Sequence, residues 1–147
     1  MDINKLTKGN AIKYNNRYGT IMAELSYNEY LINHCNNLIT VNILDIEPIE
    51  LGDKEWRNLG FERGGKRSEI ETEETSIIWE KELLFKSEEN FIDKKVMKID
   101  VFNDELPKLS LEDITGIDRD IPREYTYVHQ IQNLLSYITN IMPEYEN

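Results

Sequence analysis

The sequence predicts an α+β fold: a small antiparallel β-sheet or SH3-like barrel, with a short central helix and a C-terminal helix packed on the sheet. Three observations lead to this prediction. Short β-branched and aromatic runs, separated by Asn-rich turns, fill residues 8–46. A two-turn helical pattern surrounds Trp56, and an amphipathic helical pattern ends the chain. At 147 residues the chain suits a single domain, 1–147, with its own hydrophobic core.

The first part of the chain, residues 1–46, alternates strand and turn signals. Strand-forming runs lie at residues 11–14, 19–25, 29–32 and 38–44. Asn-rich turns separate these runs, because asparagine tolerates the left-handed backbone conformation of tight turns. The expected structure is a meander or SH3-like barrel. It is also near neutral, since residues 1–44 carry a balance of about +1.

Residues 47–61 are expected to hold one short helix. Asp53 is placed to cap its start, and Gly60 is placed to end it. Trp56, Leu59 and Phe61 supply apolar side chains for anchoring this helix to the sheet.

Residues 62–103 are expected to form an acidic β-hairpin region. A polar connector at residues 62–75 contains Gly64-Gly65, which favours a mobile hairpin or loop. Strand candidates follow at residues 77–85 and 95–102, and we expect them to pair with each other. Beyond them the pattern is weak, although the stretch that begins at Ser110 resembles the start of a helix.

The C-terminal helix is expected over residues 122–142. Pro122 suits a first helical turn, and Val128, Ile131 and Leu135 belong to an apolar stripe with helical spacing. The opposite face carries a second stripe with the spacing i, i+3, i+4, i+7: His129, Gln132, Asn133 and Ser136. Hydrogen-bonding side chains thus line up where a solvated helix more often carries Glu and Lys.

Charge is the strongest bulk signal. The chain has 28 acidic and 17 basic residues, a net charge of −11, so about −12 lies outside residues 1–44. An acidic body repels nucleic acid phosphates and favours a basic protein partner, although solubility alone can also explain it. The candidate partner-binding residues are Glu69, Glu71, Glu73, Glu74, Glu80, Glu82, Glu88 and Glu89.

The sequence contains partial matches to catalytic and metal-binding motifs, and each lacks a residue or a spacing that the motif requires. The segment Gly60 to Lys66 has the glycine and lysine spacing of a phosphate-binding loop, but Arg67 stands where Ser or Thr would ligate magnesium. His34 and Cys35 are neighbours on one expected strand and would point to opposite faces. Three aspartates approach the density of a calcium site without its loop spacing: Asp113, Asp118 and Asp120. We predict no catalytic residue, no cofactor, no metal and no small-molecule substrate.

Two alternative functions remain open. The first is a small RNA- or DNA-binding module that uses a basic and aromatic group near the N-terminus: Lys8, Lys13, Tyr14 and Arg17. The second is a hydrolase in which His129 transfers a proton. The simpler reading of His129 is a structural hydrogen bond to the sheet or a neighbouring loop, because buried polar groups must find partners.

Four stretches of the chain carry a resemblance. They are Lys8-Gly9-Asn10 leading to Tyr14, Pro48-Ile49-Glu50-Leu51 followed by Glu55-Trp56, Leu59-Gly60-Phe61-Glu62, and Tyr127-Val128-His129-Gln130-Ile131-Gln132-Asn133-Leu134. Together they resemble a family of small uncharacterised proteins of phages, prophages and other mobile elements. Glu50 and Gly52 depart from the family's proline and threonine. The resemblance implies a structural signature: Trp56, Gly60, Phe61, His129, Gln132 and Asn133.

The resemblance implies a setting and no transferable activity. Small acidic phage proteins without catalytic motifs are frequently inhibitors of host defence, and anti-CRISPR proteins are among them. The implied partner is a host protein such as a CRISPR effector nuclease or its guide RNA complex, whose basic channel a negative surface can approach quickly. The acidic middle, residues 68–93, has no counterpart in the family pattern and is expected to carry the activity.

The expected location is the cytoplasm of the bacterial host, with no membrane partner. No apolar run approaches the roughly 18 residues that a membrane span requires. The N-terminus also lacks the apolar core of a signal peptide.

Overall fold

The computed structural model describes residues 4–69, 74–86, 92–102, 108–112, 118–121 and 125–146. Nine strands and two α-helices lie in these ranges, which confirms the α+β class. In chain order they are β1 (Ala11–Tyr14), β2 (Arg17–Ser26), β3 (Glu29–His34), β4 (Asn37–Asn42), α1 (Asp53–Asn58), β5 (Glu62–Glu69), β6 (Glu74–Lys86), β7 (Ile92–Phe102), β8 (Lys108–Glu112), β9 (Asp118–Ile121) and α2 (Val128–Thr139). None of the described helices is long and apolar enough to span a membrane.

The chain divides into two compact units. The first combines Met1–Leu59 with Tyr127–Asn147, and the second is Gly60–Thr126. This division does not test whether the chain folds as one domain, which stays a prediction.

The first unit contains an antiparallel meander with the strand order β1-β2-β3-β4. Its four strands lie close to the predicted runs, except that Ile43 and Leu44, expected in the fourth strand, belong to a short 3-10 helix at Ile43–Asp45. Asn15 and Asn16, with φ of 49° and 62°, form the tight loop between β1 and β2, and Cys35 and Asn36, with φ of 52° and 64°, form the loop between β3 and β4. Two-residue hairpin loops of this kind need positive φ at both residues, which explains the asparagines.

The meander carries a hydrophobic core of the first unit on one of its faces. One face carries a buried cluster of five residues: Ile12, Ile21, Tyr30, Ile32 and Val41. The first strand gains a further neighbour, because Lys13 and Glu47 form an antiparallel bridge with two backbone hydrogen bonds of 2.9 Å. This bridge leaves β4 as the sheet edge opposite β1.

Helix α1 is short and lacks a side-chain cap. Gly52 is its N-cap, so the expected cap at Asp53 is wrong by one residue. The Trp56 N–H donates to the Gly52 carbonyl at 3.0 Å, which places Asp53 inside the first turn, near the positive end of the helix. Trp56 and Leu59 are buried, and Gly60 follows with a φ of 89°.

The second unit is a five-stranded antiparallel sheet with the order β5-β6-β7-β8-β9. The two expected strands do pair, with Trp79 opposite Ile99. The hairpin or loop expected at residues 62–75 is confirmed in part, because residues 62–69 form β5, which pairs with β6 as an antiparallel hairpin with a bulge between Arg63 and Gly65. The helix start expected at Ser110 is wrong, since that stretch belongs to β8. In both places pairing with a long neighbouring strand overrides the local turn and cap signals.

Helix α2 begins later than the sequence predicted. Pro122 lies outside the described residues, and Tyr127 still has an extended backbone, with φ of −124° and ψ of 149°. Tyr127 forms a β-bridge with Glu50, and its N–H donates to Gln130 Oε1 at 3.0 Å, so the helix starts at Val128. Asn140, with a φ of 59°, ends it.

Candidate functional site

The polar stripe of α2 faces the interior of the first unit. Gln132 and Asn133 are fully buried, and His129 is only 6% exposed. The stripe lies against residues 4–11, which precede and begin β1. Each buried amide and imidazole must therefore find partners in that segment.

Gln132 uses both ends of its side-chain amide. Its Oε1 accepts a hydrogen bond of 2.8 Å from the Ala11 N–H. Its Nε2 donates to the Gly9 carbonyl at 3.2 Å and to the Pro143 carbonyl at 3.0 Å. One side chain thus joins the start of β1 to the C-terminal tail.

Asn133 closes a second network. Its Nδ2 donates to the Lys5 carbonyl at 2.8 Å, and its Oδ1 accepts from Asn10 Nδ2 at 2.8 Å and from Thr7 Oγ1 at 2.9 Å. Asn10 is itself fully buried, and its Oδ1 accepts from the Thr7 N–H at 2.7 Å. These groups satisfy one another, which leaves little hydrogen-bonding capacity for a ligand.

His129 is the only ionisable side chain of the stripe. Its Nε2 lies 3.1 Å from the Asn4 carbonyl, which only a protonated Nε2 can satisfy. Its Nδ1 has no hydrogen-bond partner among the described residues, and the Tyr127 ring stacks on the imidazole at 5.8 Å. Burial lowers the pKa of His129, while the hydrogen bond to Asn4 opposes that change. The imidazole is therefore neutral at pH 7.

This burial predicts a pH dependence of stability. Since the folded-state pKa lies below the ordinary value of 6.5, the unfolded chain binds a proton first, and stability falls as the pH falls below 6.5. When the pH is lowered from about 7.5 to about 5.5, His129→Gln should lose less free energy of unfolding than the wild type. Urea unfolding at both pH values measures this difference. An equal loss in both proteins would show that His129 protonates as readily in the folded state.

Proton-transfer chemistry at His129 lacks accessible partners in the described part of the chain. The ring is almost completely covered, and its one hydrogen bond runs to backbone. Among the described residues no group of three or more His, Cys, Asp or Glu side chains could hold a metal ion.

The N-terminal basic and aromatic residues divide between two faces of the meander. Lys13 is the register partner of Tyr18, whereas Tyr14 is the partner of Arg17 in the next pair, and successive pairs alternate faces. Tyr14 packs against the buried cluster, and its ring meets His34 edge-on at 5.2 Å. The structure therefore does not bring Tyr14 and Lys13 to one surface.

A different set of residues gathers around Tyr18. The ammonium groups of Lys13 and Lys54 each lie 5.5 Å from the centroid of the Tyr18 ring, and the Tyr145 ring lies 5.7 Å away. Burial raises the pKa of Tyr145 to about 12. Lys54 and Tyr145 are distant in sequence, so no local pattern could have added them to the group.

The tail residues beside Tyr145 border an open groove of about 560 Å³ that Lys8, Ile21 and Met142 help to line. The tail is held at two points. The Glu146 N–H donates to the Asn58 carbonyl at 2.9 Å, and Asn58 Nδ2 donates to the Tyr145 hydroxyl at 3.1 Å. Contacts with α1 thus fix this wall of the groove.

The second unit concentrates acidic residues on one face of its sheet. Three pairs of direct register partners are acidic on both strands: Glu62 with Glu80, Glu69 with Glu74, and Glu112 with Asp118. Glu74, Glu80 and Glu82 all lie at even-numbered positions of β6 and therefore share a face. Val96 of β7 is the register partner of both Glu82 and Glu112, which places Glu112 on the same face. By register all three pairs therefore lie on the same face. Glu71, Glu73, Glu88 and Glu89 lie outside the described residues.

The other face of this sheet holds buried apolar side chains. Trp79, Leu83 and Met97 are buried, and Trp79 and Leu83 alternate along β6 with Glu80 and Glu82. Lys81 shares this face by alternation and lies with its ammonium 5.8 Å from the centroid of the Phe61 ring. Burial lowers the pKa of Lys81. The face opposite these buried side chains carries the acidic pairs, and by register it also carries Lys98, the β7 partner of Glu80, and Arg67, the β5 partner of Ser76.

No protein-family model, no curated protein and no solved structure matches this chain. Its resemblance to the phage and mobile-element family stays a prediction.

Proposed function

We propose that the protein is a non-enzymatic binding protein of a phage or mobile element, and that it inhibits a host nucleic-acid-targeting defence complex. It would bind a basic surface of that complex through the acidic sheet face, defined as Glu62, Glu69, Glu74, Glu80, Glu82, Glu112 and Asp118. The observation that carries this proposal is the alignment of three doubly acidic register pairs on that face.

Such pairs oppose folding. Like charges directly opposite each other on neighbouring strands are destabilising, by a magnitude of roughly 0.2–1 kcal/mol per pair. The second unit carries 18 acidic and 11 basic residues, so it keeps an excess of negative charge, although Lys98 is the register partner of Glu80 on β7. A cationic partner would relieve this repulsion on binding, which gives the paired acids a purpose in recognition.

The chemistry of the face selects a class of partner. Clustered carboxylates attract Lys- and Arg-rich surfaces and increase the rate of encounter with them. Proteins that bind guide and target nucleic acid carry such surfaces along the path of the phosphates. An acidic sheet bound there would compete with nucleic acid, which is the action expected of an anti-CRISPR type of inhibitor.

The test is affinity capture from nuclease-treated lysate of the bacterial host, followed by target-cleavage assays with the captured nuclease. Glu80→Lys/Glu82→Lys should reduce capture about tenfold, because the variant reverses two charges in the middle of the face. Glu29→Lys/Glu47→Lys is the matched control, since it changes the net charge equally at exposed positions of the first unit. We expect this control to retain capture within about twofold.

Each outcome decides the assignment. Loss of both capture and inhibition in the first variant alone would support the acidic sheet face. Equal capture by both variants would overturn it. Capture of RNA rather than protein before nuclease treatment would favour a nucleic-acid-binding function instead.

A further inference from the structure

The outer edge of β4 is the exposed edge of the first sheet. Across the described ranges no strand forms a bridge to it, whereas β1 at the opposite edge is bridged by Glu47. Asn37, Thr40 and Asn42 are exposed, and Leu38 is 62% exposed. The edge is therefore accessible along the length of the strand.

The hydrogen-bonding pattern shows which backbone groups point outward. The Ile43 N–H donates to the Asn28 carbonyl at 2.8 Å, which continues the register in which Val41 opposes Tyr30. Hydrogen-bonded pairs alternate along an antiparallel ladder, so the odd-numbered residues of β4 bond to β3. The N–H and C=O groups of Leu38, Thr40 and Asn42 consequently point away from the sheet.

This edge lacks the usual protection against pairing. The strand reads Asn-Leu-Ile-Thr-Val-Asn, without charge or proline, and its register with β3 contains no bulge. Natural edge strands commonly carry lysine, proline or a bulge that prevents another strand from joining. Here the strand is unbulged, neutral and partly apolar.

We propose that β4 pairs with β4 of a second copy of this chain, in an antiparallel arrangement about a two-fold axis at Thr40. Thr40 then faces Thr40 of the second copy as a hydrogen-bonded pair, and Leu38 faces Asn42 on each side. This register uses the outward-pointing groups of all three residues. It also keeps the buried cluster of each copy on the same side of the joined sheet, because it pairs residues of equal parity.

Charge opposes the approach of a second copy less at this strand than at the acidic parts of the chain. Two chains with a net charge of −11 repel each other over most of their surface. Residues 1–44 carry a balance of about +1, and β4 itself has no charged side chain. A two-fold contact needs a self-complementary surface, which a neutral strand edge supplies directly.

The test is the molar mass in solution, measured by light scattering from about 5 µM to about 500 µM protein. We expect a reversible rise from monomer to dimer. Thr40→Lys places two ammonium groups directly opposite each other and should weaken association at least tenfold, as should Leu38→Lys. Thr20→Lys is the matched control, since Thr20 is an exposed threonine on the interior strand β2 and should leave association unchanged.

A monomer at every concentration would overturn the proposal. So would a dimer that tolerates both Thr40→Lys and Leu38→Lys, because the contact would then lie elsewhere. Thermal unfolding of each variant separates a lost interface from a lost fold. The acidic sheet face takes no part in this contact, so binding by Glu80→Lys/Glu82→Lys and dimerisation are measured independently.

Discussion

Asn133→Ala should lower the free energy of unfolding by about 3–4 kcal/mol, and chemical denaturation by urea measures the change. The Asn133 amide bonds to Lys5, Thr7 and Asn10 at 2.8–2.9 Å from a position with no solvent exposure. Its removal leaves a buried carbonyl, hydroxyl and amide without this partner. Each such group costs about 1–3 kcal/mol when water cannot replace the bond.

Ser136→Ala is the control for this prediction. Ser136 belongs to the same stripe of α2 but is only partly buried, so its loss should change stability by at most about 0.5 kcal/mol. The double variant Asn10→Ala/Asn133→Ala should cost less than the sum of the two single changes, because the two side chains share one bond. Strict additivity, or a loss below about 1 kcal/mol for Asn133→Ala, would contradict the network's role.

The first sheet was predictable because its signals are local. Alternating apolar residues identify each strand, and the loops contain asparagine at positions that need positive φ, such as Asn15, Asn16 and Asn36. Only the bridge between Lys13 and Glu47 lies beyond a local pattern, since it depends on where residues after β4 return to the sheet.

The second sheet was harder to predict because its signals conflict. Gly64-Gly65 is a turn signal in isolation, yet Gly65 follows a bulge in β5, whose strand is selected by pairing with β6. Ser110 likewise begins a cap-like sequence, but β8 takes its conformation from β7. Sequence periodicity cannot show that a neighbouring strand is long enough to pair with such segments.

The polar stripe of α2 illustrates the same limit at the candidate site. Its spacing predicted that His129, Gln132 and Asn133 share one face, and they do. Apart from Pro143, which accepts from Gln132, their partners lie more than 100 residues earlier in the chain, at Asn4 to Ala11, where no helix spacing indicates them. The spacing therefore identified the residues of the network, and the structural role that the sequence favoured for His129 agrees with its hydrogen bond to Asn4, while only the fold identified the individual partners.

The polar stripe of α2 bonds inside the first unit, so it is not the surface that we expect to bind a partner. A helix face whose amides bond to backbone groups and to the Thr7 and Asn10 side chains is suited to holding the N-terminal segment and the tail in place. The doubly acidic register pairs of the second unit are the feature on which we base the proposed recognition of a partner. Under the proposed function, α2 would stabilise the first unit and the acidic sheet face would recognise a partner.

Trp56→Ala should lower the free energy of unfolding by about 3–5 kcal/mol and should also release the C-terminal tail. Trp56 is only 2% exposed, and α1 has six residues with no side-chain cap, so the helix depends on this burial. Asn58 of the same helix holds the tail through its hydrogen bonds with Tyr145 and Glu146. Loss of α1 should therefore expose the Glu146 amide to hydrogen exchange and return the pKa of Tyr145 from about 12 towards 10.0.

Lys54→Ala is the control for Trp56→Ala, because it changes a residue of α1 whose side chain is exposed. Lys54 lies on α1 and is exposed, and its described contact is the cation–π interaction with Tyr18. This change should cost less than about 1 kcal/mol and leave the Glu146 amide protected. A protected Glu146 amide in Trp56→Ala would mean that the tail is held without α1. The hydrogen bond between Gln132 and Pro143 would then be its principal anchor.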